Sequence, residues 1–450
     1  MKINTLESIS PIDGRYHTKT NCLSQYFSEY ALIKYRILIE IEYFIALCLT
    51  SIPQLKKFPK KEFKNLRLLY ENFSLKDAEQ IKKIEKETNH DVKAVEYFLR
   101  DKFDQLNLSD FKEFIHFGLT SQDINNTAIP YSIKGAVKEV YLIEIGNLIK
   151  QLEKLVIQWK DIPMIARTHG QVASPTLLGK EIHVFVERIK KQINNIQKIG
   201  FSGKFGGATG NFNAHYIAYS NIGWEKFAND FCKNILGIKR QKTTTQIEHY
   251  DDIAALSQNI MRINTILIDF SRDIWTYISL DYFKQKIKKK EVGSSAMPHK
   301  VNPIDFENGE GNFGIANSIF SFLASKLPIS RMQRDLTDST VLRNIGVPFS
   351  HALIGILSLK NGISKLLINQ DAINKDIEDN WIVIAEAIQT ILRRERYPNA
   401  YDRIKELTRK NKKITQSAIH DFIENLDIEE SIKKELKNIT PFNYTGKFRK

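Results

Sequence analysis

At 450 residues, with 42% hydrophobic and 26% charged side chains, the chain exceeds one ordinary compact core and is expected to form two or three domains of a soluble protein. Three cysteines, Cys22, Cys48 and Cys232, odd in number and far apart, exclude a disulfide framework and a thiol metal site and suit a reducing cytoplasm. The net charge of +14 admits a nucleic-acid partner, yet the lysines are scattered, and the densest runs, residues 284–290 and 409–413, lack RNA-type aromatic interleaving, so solvated faces and no nucleic-acid partner are expected.

The opening stretch, MKINTLESISPIDGRY, places a proline, an Asp and an Arg where a secretory leader needs an apolar core, so no leader is expected. Helical sequence follows, in which Tyr30, Ile33, Ile37, Ile41 and Phe44 recur at steps of three and four, an amphipathic pattern. TNHDVKAVEYFLR, residues 88–100, reads as a loop feeding a helix, with Asp91 placed to accept from first-turn amides. FGLTSQDINN, residues 117–126, is a polar knot ahead of a proline-started helix; capping accounts individually for Thr120, Ser121 and Asp123.

The middle of the chain carries the longest periodic runs. Leu142, Ile145, Ile149, Leu152, Val156 and Trp159 form one stripe, and Leu178, Ile182, Phe185, Ile189, Ile193 and Ile196 a second. A third, from Ile253 through Ile260, Leu267 and Ile274 to Ile278, continues for seven turns. Such stripes need partner helices along their whole length, and residues 313–323 are apolar around most of the circumference. Between the first two stripes lies a second polar knot, RTHGQVASPT, residues 167–176, which sets His169 apart from the other histidines. The run GKFGGATGNFNAH, residues 203–215, reads as a turn or short hairpin. Residues 311–325 and 344–359 are the longest uncharged stretches, too short and polar to span a bilayer, so no membrane partner is expected.

Residues 293–308, GSSAMPHKVNPIDFEN, interrupt helical sequence as a third knot. Pro298 and Pro303 each remove a backbone donor and restrict the residue before, so the stretch must be a loop. Its hydroxyl, imidazole, amide and ammonium groups suit either a solvated surface or a site where a hydroxyl nucleophile or base sits beside a cation that lowers its pKa. GEGNFG, residues 309–314, fits a dinucleotide fingerprint but lacks the preceding strand; its glycines are expected to permit close helix packing. No HExxH motif or Cys/His cluster occurs, so no metal site is expected. From about residue 362 the chain returns to shorter charged helices, ending near Leu436. The expected fold is all-α, with segments 1–111, 112–362 and 363–450, the central one a long-helix bundle that assembles into a multi-subunit helical core.

GSSAMPHKVNP resembles the hallmark loop of the fumarase/aspartase superfamily, while TSQDINN and RTHGQ resemble its other two shared regions. SPIDGRY, TNHD, TTTQIEHYDD and RDLTDSTVLRN are similar to segments of the adenylosuccinate lyase family within it. The resemblance implies a cytoplasmic homotetramer without cofactor, whose sites draw the three regions from three subunits. It also implies β-elimination of fumarate from two nucleotide substrates, adenylosuccinate and the succinyl-carboxamide ribotide; another fumarate-releasing lyase, such as argininosuccinate lyase, is the alternative. By the same resemblance Ser294 is the base and His169 the general acid. Lys300, Asn302, Thr120, Ser121 and Gln246 would hold the succinyl carboxylates, and Ser295 would also bind substrate. Arg15, Tyr16, Arg334, Ser339 and Arg343 would hold the nucleotide phosphate, Thr340, Val341 and Leu342 would also bind substrate, and Asn89, His90, Asp91 and Asn308 would complete the pocket. Read without it, Arg334 and Arg343 would be taken for ordinary surface ion pairs.

Overall fold

The computed structural model describes residues 4–286, 297, 300–408 and 414–448. Helices dominate, and each polar knot that falls among these residues sits where a helix begins or where a short hairpin interrupts the helical sequence. The chain groups into two units: Met1–Ile145, Lys191–Thr265 and Gly311–Leu357 form one, and Gly146–Lys190, Ile266–Glu310 and Ser358–Lys450 form the other.

In the first unit, helix α1 (Glu29–Cys48) passes through the core. Ile33, Ile37, Ile41 and Phe44 are buried as their spacing predicts, but so are Ile39, Tyr43, Leu47 and the charged Arg36, Glu40 and Glu42. The helix is therefore enclosed on most sides rather than on one stripe. Its charges are tolerated because each meets a partner from distant sequence: Arg36 with Asp91, Glu40 with His116 and Glu42 with Arg67. Aromatic rings fill the space around it, Phe44 lying 4.9 Å from Phe103 and 5.2 Å from Phe58, both edge-on.

Helix α2 (Leu75–Thr88) ends at Asn89, whose φ of 52° makes the left-handed turn into α3 (Asp91–Gln105). The cap of α3 is His90, whose Nδ1 accepts from the Lys93 amide at 3.1 Å. Asp91, expected to serve there, is the first helical residue and takes only the Val92 amide. Helix α4 (Ser121–Ala136) also departs from expectation: Thr120 caps it, with Asp123 Oδ2 accepting from the Thr120 amide at 2.8 Å. Pro130 thus falls inside the helix rather than at its start. Where Pro130 leaves the Asn126 carbonyl without its ladder donor, Gly203 packs so closely that a Cβ there would sit 2.5 Å from that oxygen.

Helices α5 (Leu142–Gln158) and α6 (Leu178–Lys198) bury their stripes apart from Leu142 and Ile193. Between them stands a hairpin, β1 (Pro163–Thr168) with β2 (Gln171–Leu177). The second polar knot is its tip: Thr168 pairs with Gln171, and His169 and Gly170 carry φ values of 54° and 75°. Two positive-φ residues in a two-residue loop match the right-handed strand twist, so a turn replaces the expected helix end. The glycine-rich run is no hairpin; instead β3 (Ser202–Gly203) pairs in parallel with β4 (Lys239–Arg240).

Helix α7 (Asp251–Ser279) carries the third stripe, buried up to Ile274. Strand β5 (Phe283–Gln285) pairs with β6 (Leu366–Ile368). Helix α8 (Ile304–Lys326) buries Phe313, Ala316, Phe320 and Leu323 but exposes Ile315 and Phe322. A Cβ at Gly311 or Gly314 would meet nothing within 4 Å, so these glycines do not serve close packing within the chain. Short α9 (Thr337–Leu342) precedes α10 (Gly346–Lys365). The stretch Thr337–Lys365 is apolar enough to cross a membrane by length and composition, and 61% of its most apolar window is buried inside the protein. Among the described residues that follow, five further α-helices form, Gln370–Glu378, Ala385–Arg394, Ala400–Thr408, Gln416–Glu424 and Glu430–Lys437.

Two stability predictions arise from this packing. Gly203→Ala should lower stability by about 1–3 kcal/mol, because the new methyl overlaps the Asn126 carbonyl and the Ile238 side chain; an unchanged thermal midpoint would contradict the close approach. His215 is buried among Tyr43, Phe117, Phe212 and Trp224. Burial pushes its pKa down from 6.5 to about 4, with the Asp123 charge opposing. A depressed native pKa means the unfolded chain takes the proton first. Its stabilising contribution is complete above pH 6.5 and is lost as pH falls toward 4, at about 1.4 kcal/mol per pH unit. Denaturant titrations of His215→Gln should show a shallower loss over that window than the parent protein.

Candidate active site

The first polar knot is built on a carboxylate withdrawn from water. Asp123 and Lys204 are both 0% exposed in their side chains and pair at 2.7 Å. Asp123 Oδ1 also accepts from the amides of Gly206 and Gly207 at 2.8 and 3.1 Å, while Oδ2 takes the Thr120 amide. One side chain thereby joins the entrance of α4 to the glycine loop. Burial lowers the Lys204 pKa below its ordinary value, and Asp123 opposes that shift. Sequence reasoning missed Lys204; a lysine inside a glycine-rich turn carries no signal that it is buried.

From this base, Ser121 projects at the first turn of α4 with its Oγ 3.5 Å from His90 Nε2. His90 Nδ1 already accepts from an amide, so Nε2 carries the ring proton and faces Ser121 as a donor. A cavity of about 330 Å³ opens here. Its wall includes Asn89, His90, Asp91 and Ser121 on one side and Arg334, Ser339 and Arg343 on another, seven of the residues picked from sequence. Asn125 also lines it and was not foreseen. A neighbouring cavity of about 250 Å³ shares Asp91, Asn125, Ser339 and Arg343 and adds Leu342 and Arg36.

Charge alternates along this wall. Arg36 gives Nη2 to Asp91 Oδ2 at 2.6 Å and Nε to Asn125 at 2.9 Å. Arg343 reaches the same Asp91 oxygen at 3.2 Å and Glu29 at 3.0 Å, and Glu29 also meets Lys82. Burial pushes the Asp91 carboxyl up, but Arg36, the Val92 amide and Arg343 outweigh it and hold it below the usual carboxylate value. Arg343 is thus both an ion-pair residue and a cavity wall. Arg334 Nη1 donates to Gln246 at 3.2 Å, and Gln246 in turn reaches the Ala208 carbonyl, so Gln246 braces Arg334 against the glycine loop.

Not every sequence pick joins them. Thr340 and Val341 line a different cavity, beside Phe322 and Leu323. Arg15 is exposed, 6.0 Å from the Tyr16 ring, and neither residue lines the cavities described. In the second unit His169 is exposed at its hairpin tip. The hairpin is anchored by Arg167, which pairs with Asp376 at 2.8 Å and donates to the Tyr282 hydroxyl at 3.0 Å. Lys300 is exposed and Asn302 half-buried, while Asn308 donates to Ser358 at 2.7 Å. Ser294 and Ser295 lie outside the described residues. Among the described residues, no group of three or more His, Cys, Asp or Glu side chains is placed to hold a metal ion.

Residues 14–316 match a family described as Lyase, and residues 330–445 one described as Adenylosuccinate lyase C-terminal. The chain is 56% identical to the adenylosuccinate lyase of Dictyostelium discoideum, covering 99% of this chain and 98% of that protein. With the adenylosuccinate lyases of Legionella pneumophila and Escherichia coli it shares 50% and 46%, each over 99% of this chain and 98% of the relative. Among solved structures it resembles the 3-carboxy-cis,cis-muconate lactonizing enzyme of Pseudomonas putida, with a TM-score of 0.73 at 17% identity over 95% of this chain and 94% of that one. That likeness speaks to the fold alone. With both family matches and near-full-length identity of about half, the chain belongs to the adenylosuccinate lyase family of the fumarase/aspartase superfamily.

Proposed function

We propose that the chain cleaves adenylosuccinate to AMP and fumarate, and the succinyl-carboxamide ribotide to its free amine and fumarate. The single observation that carries this reading beyond family membership is the convergence of Asn89, His90, Asp91, Ser121, Arg334, Ser339 and Arg343 on one cavity. A hydroxyl and a ring N–H at a helix start beside two guanidinium groups suit a ligand with carboxylates at one end and a phosphate at the other.

In the proposed elimination, Ser294 removes the proton from the carbon next to a succinyl carboxylate. The electron pair moves into that carboxylate, whose doubled charge needs cationic and amide donors. Collapse forms the carbon–carbon double bond of fumarate and breaks the C–N bond, while His169 protonates the departing nitrogen. A serine hydroxyl is a poor base unless its alkoxide is stabilised, and Lys300 of the same polar stretch is assigned to that stabilisation. Lys300, Asn302, Thr120, Ser121, Ser295 and Gln246 are assigned to the carboxylates. Ser339, Arg334 and Arg343 are assigned to the phosphate, with Arg15, Tyr16, Thr340, Val341 and Leu342 near it and Asn308 completing the pocket. An incoming phosphate competes with Glu29 and Asp91 for the Arg343 fork, which tunes rather than forbids binding.

The chain is further proposed to act as a cytoplasmic homotetramer whose sites are shared between subunits, its segments dividing at 1–111, 112–362 and 363–450. Supporting this, α8 leaves Ile315, Phe322 and a bare Gly311 and Gly314 surface uncovered, as an interhelical contact between copies would require.

Purified protein should release fumarate from adenylosuccinate and leave argininosuccinate untouched; the reverse would sink the proposed substrate. Ser294→Ala should abolish turnover while substrate affinity stays within about tenfold, because only a transition-state contact is removed. Turnover near the parent rate would move the base elsewhere. If sites are shared, Ser294→Ala and His169→Ala chains, dissociated and reassembled together, should regain activity in roughly a quarter of sites. Hybrids verified by mass that remain dead would place both residues in one chain's site or void one role.

A further inference from the structure

Residues 243–252, TTTQIEHYDD, contribute only Gln246 to the substrate assignments, yet their most buried ring does something specific. Tyr250 is 1% exposed and holds a φ of 61° just before α7. For a bulky side chain the left-handed region costs about 1–2 kcal/mol, so the surroundings must hold it there. Its hydroxyl has two buried partners, the Asn126 Nδ2 at 2.7 Å and the Asp338 Oδ2 at 2.8 Å.

The direction of every bond in this chain is determined. The Glu248 amide can only donate, and it meets Asn126 Oδ1 at 2.9 Å. Asn126 therefore turns its NH₂ toward Tyr250, whose oxygen accepts. The one hydroxyl proton then goes to Asp338. Asp338 uses its other oxygen, Oδ1, to take the Ser339 amide at 2.7 Å. Asn126 is a residue of α4, whose first turn presents Ser121; Asp338 and Ser339 belong to α9, which leads into Arg343. A weaker contact, Gln122 to the Ser339 hydroxyl at 3.5 Å, runs parallel.

We propose that Tyr250 is a positioning residue for the phosphate end of the substrate: through Asp338 its hydroxyl sets Ser339 and Arg343 at a fixed distance from α4. This rests on the assignment of Ser339 and Arg343 to the phosphate. Burial, with Asp338 beside it, raises the pKa of the hydroxyl well above its ordinary value, so the tyrosine keeps the proton it gives to Asp338.

The test removes one oxygen. Tyr250→Phe should raise KM for adenylosuccinate by about tenfold with kcat within about threefold, and leave KM for the phosphate-free nucleoside, N6-succinyladenosine, within about twofold of the parent. Ser339→Ala is measured alongside. If Ser339→Ala raises the nucleotide KM and Tyr250→Phe does not, the positioning role is overturned while the phosphate assignment stands. If neither raises it, the phosphate assignment fails and the inference falls with it. Equal KM increases for nucleotide and nucleoside, or a loss in kcat alone, would also overturn it, since a general loosening of the core does not distinguish the phosphate. Should the single variant fail to assemble, Tyr250→Phe with Asp338→Asn removes the unpaired buried charge, and the same nucleotide-to-nucleoside comparison decides.

Discussion

The first unit's site depends on one ion pair that water never reaches. Taking Asp123 and Lys204 out of solvent carries a desolvation penalty that their attraction repays only if remaining lone pairs and protons are satisfied. Most of them are: Asp123 gathers three amides besides the ammonium, and Lys204 also meets the Gly207 carbonyl. Removing either partner would strand a charge at a cost of about 3–5 kcal/mol, which makes the geometry close to all-or-none. The glycines follow from this. Gly207 and Gly210 adopt φ values of 78° and 81°, and a Cβ at Gly206 would press within 2.8 Å of the Gly210 carbonyl. Only bare backbone can wrap a carboxylate so closely.

On that fixed base the cavity wall is tuned by alternating charge. Lys82, Glu29, Arg343, Asp91 and Arg36 form a line of opposite neighbours that ends inside the core. Arg36 is the anchor, since its fork is almost entirely buried and holds both Asp91 and Asn125. Asp91 is thereby kept ionised, and its carboxylate can orient Arg343 without neutralising it. The chain's overall +14 charge adds a background field favourable to an anionic nucleotide. The local wall decides where that anion would rest.

The second unit uses a different device. His169 is carried at the tip of a two-residue turn whose strands are fastened through Arg167 to Asp376 and Tyr282. A two-residue loop with both tip residues at positive φ follows the twist of its strands. An exposed imidazole at that tip suits the general-acid role proposed for it, because the paired strands set where it points.

The helical stripes were legible from spacing alone, since burial on one face of a helix requires apolar residues at steps of three and four. The capping pattern of Thr120 and Asp123 was legible too, as was the place of the first two polar knots, because Gly, Pro and hydroxyl residues punctuate local structure independently of distant contacts. Membership of the family was written in the motifs. What spacing could not reveal depended on partners far along the chain. Arg36, Glu40 and Glu42 look solvent-facing until Asp91, His116 and Arg67 arrive to pair with them. The His169–Gly170 tip reads as a break between helices, because a turn of that type is recognised only when its strands pair. Lys204 lies 81 residues from Asp123, and Tyr250 lies 124 from Asn126 and 88 from Asp338. The sequence by itself determined the helical stripes, the Thr120–Asp123 cap and the kind of chemistry; the tertiary structure decided which charges could be buried, since a buried charge is stable only where a partner is brought to it.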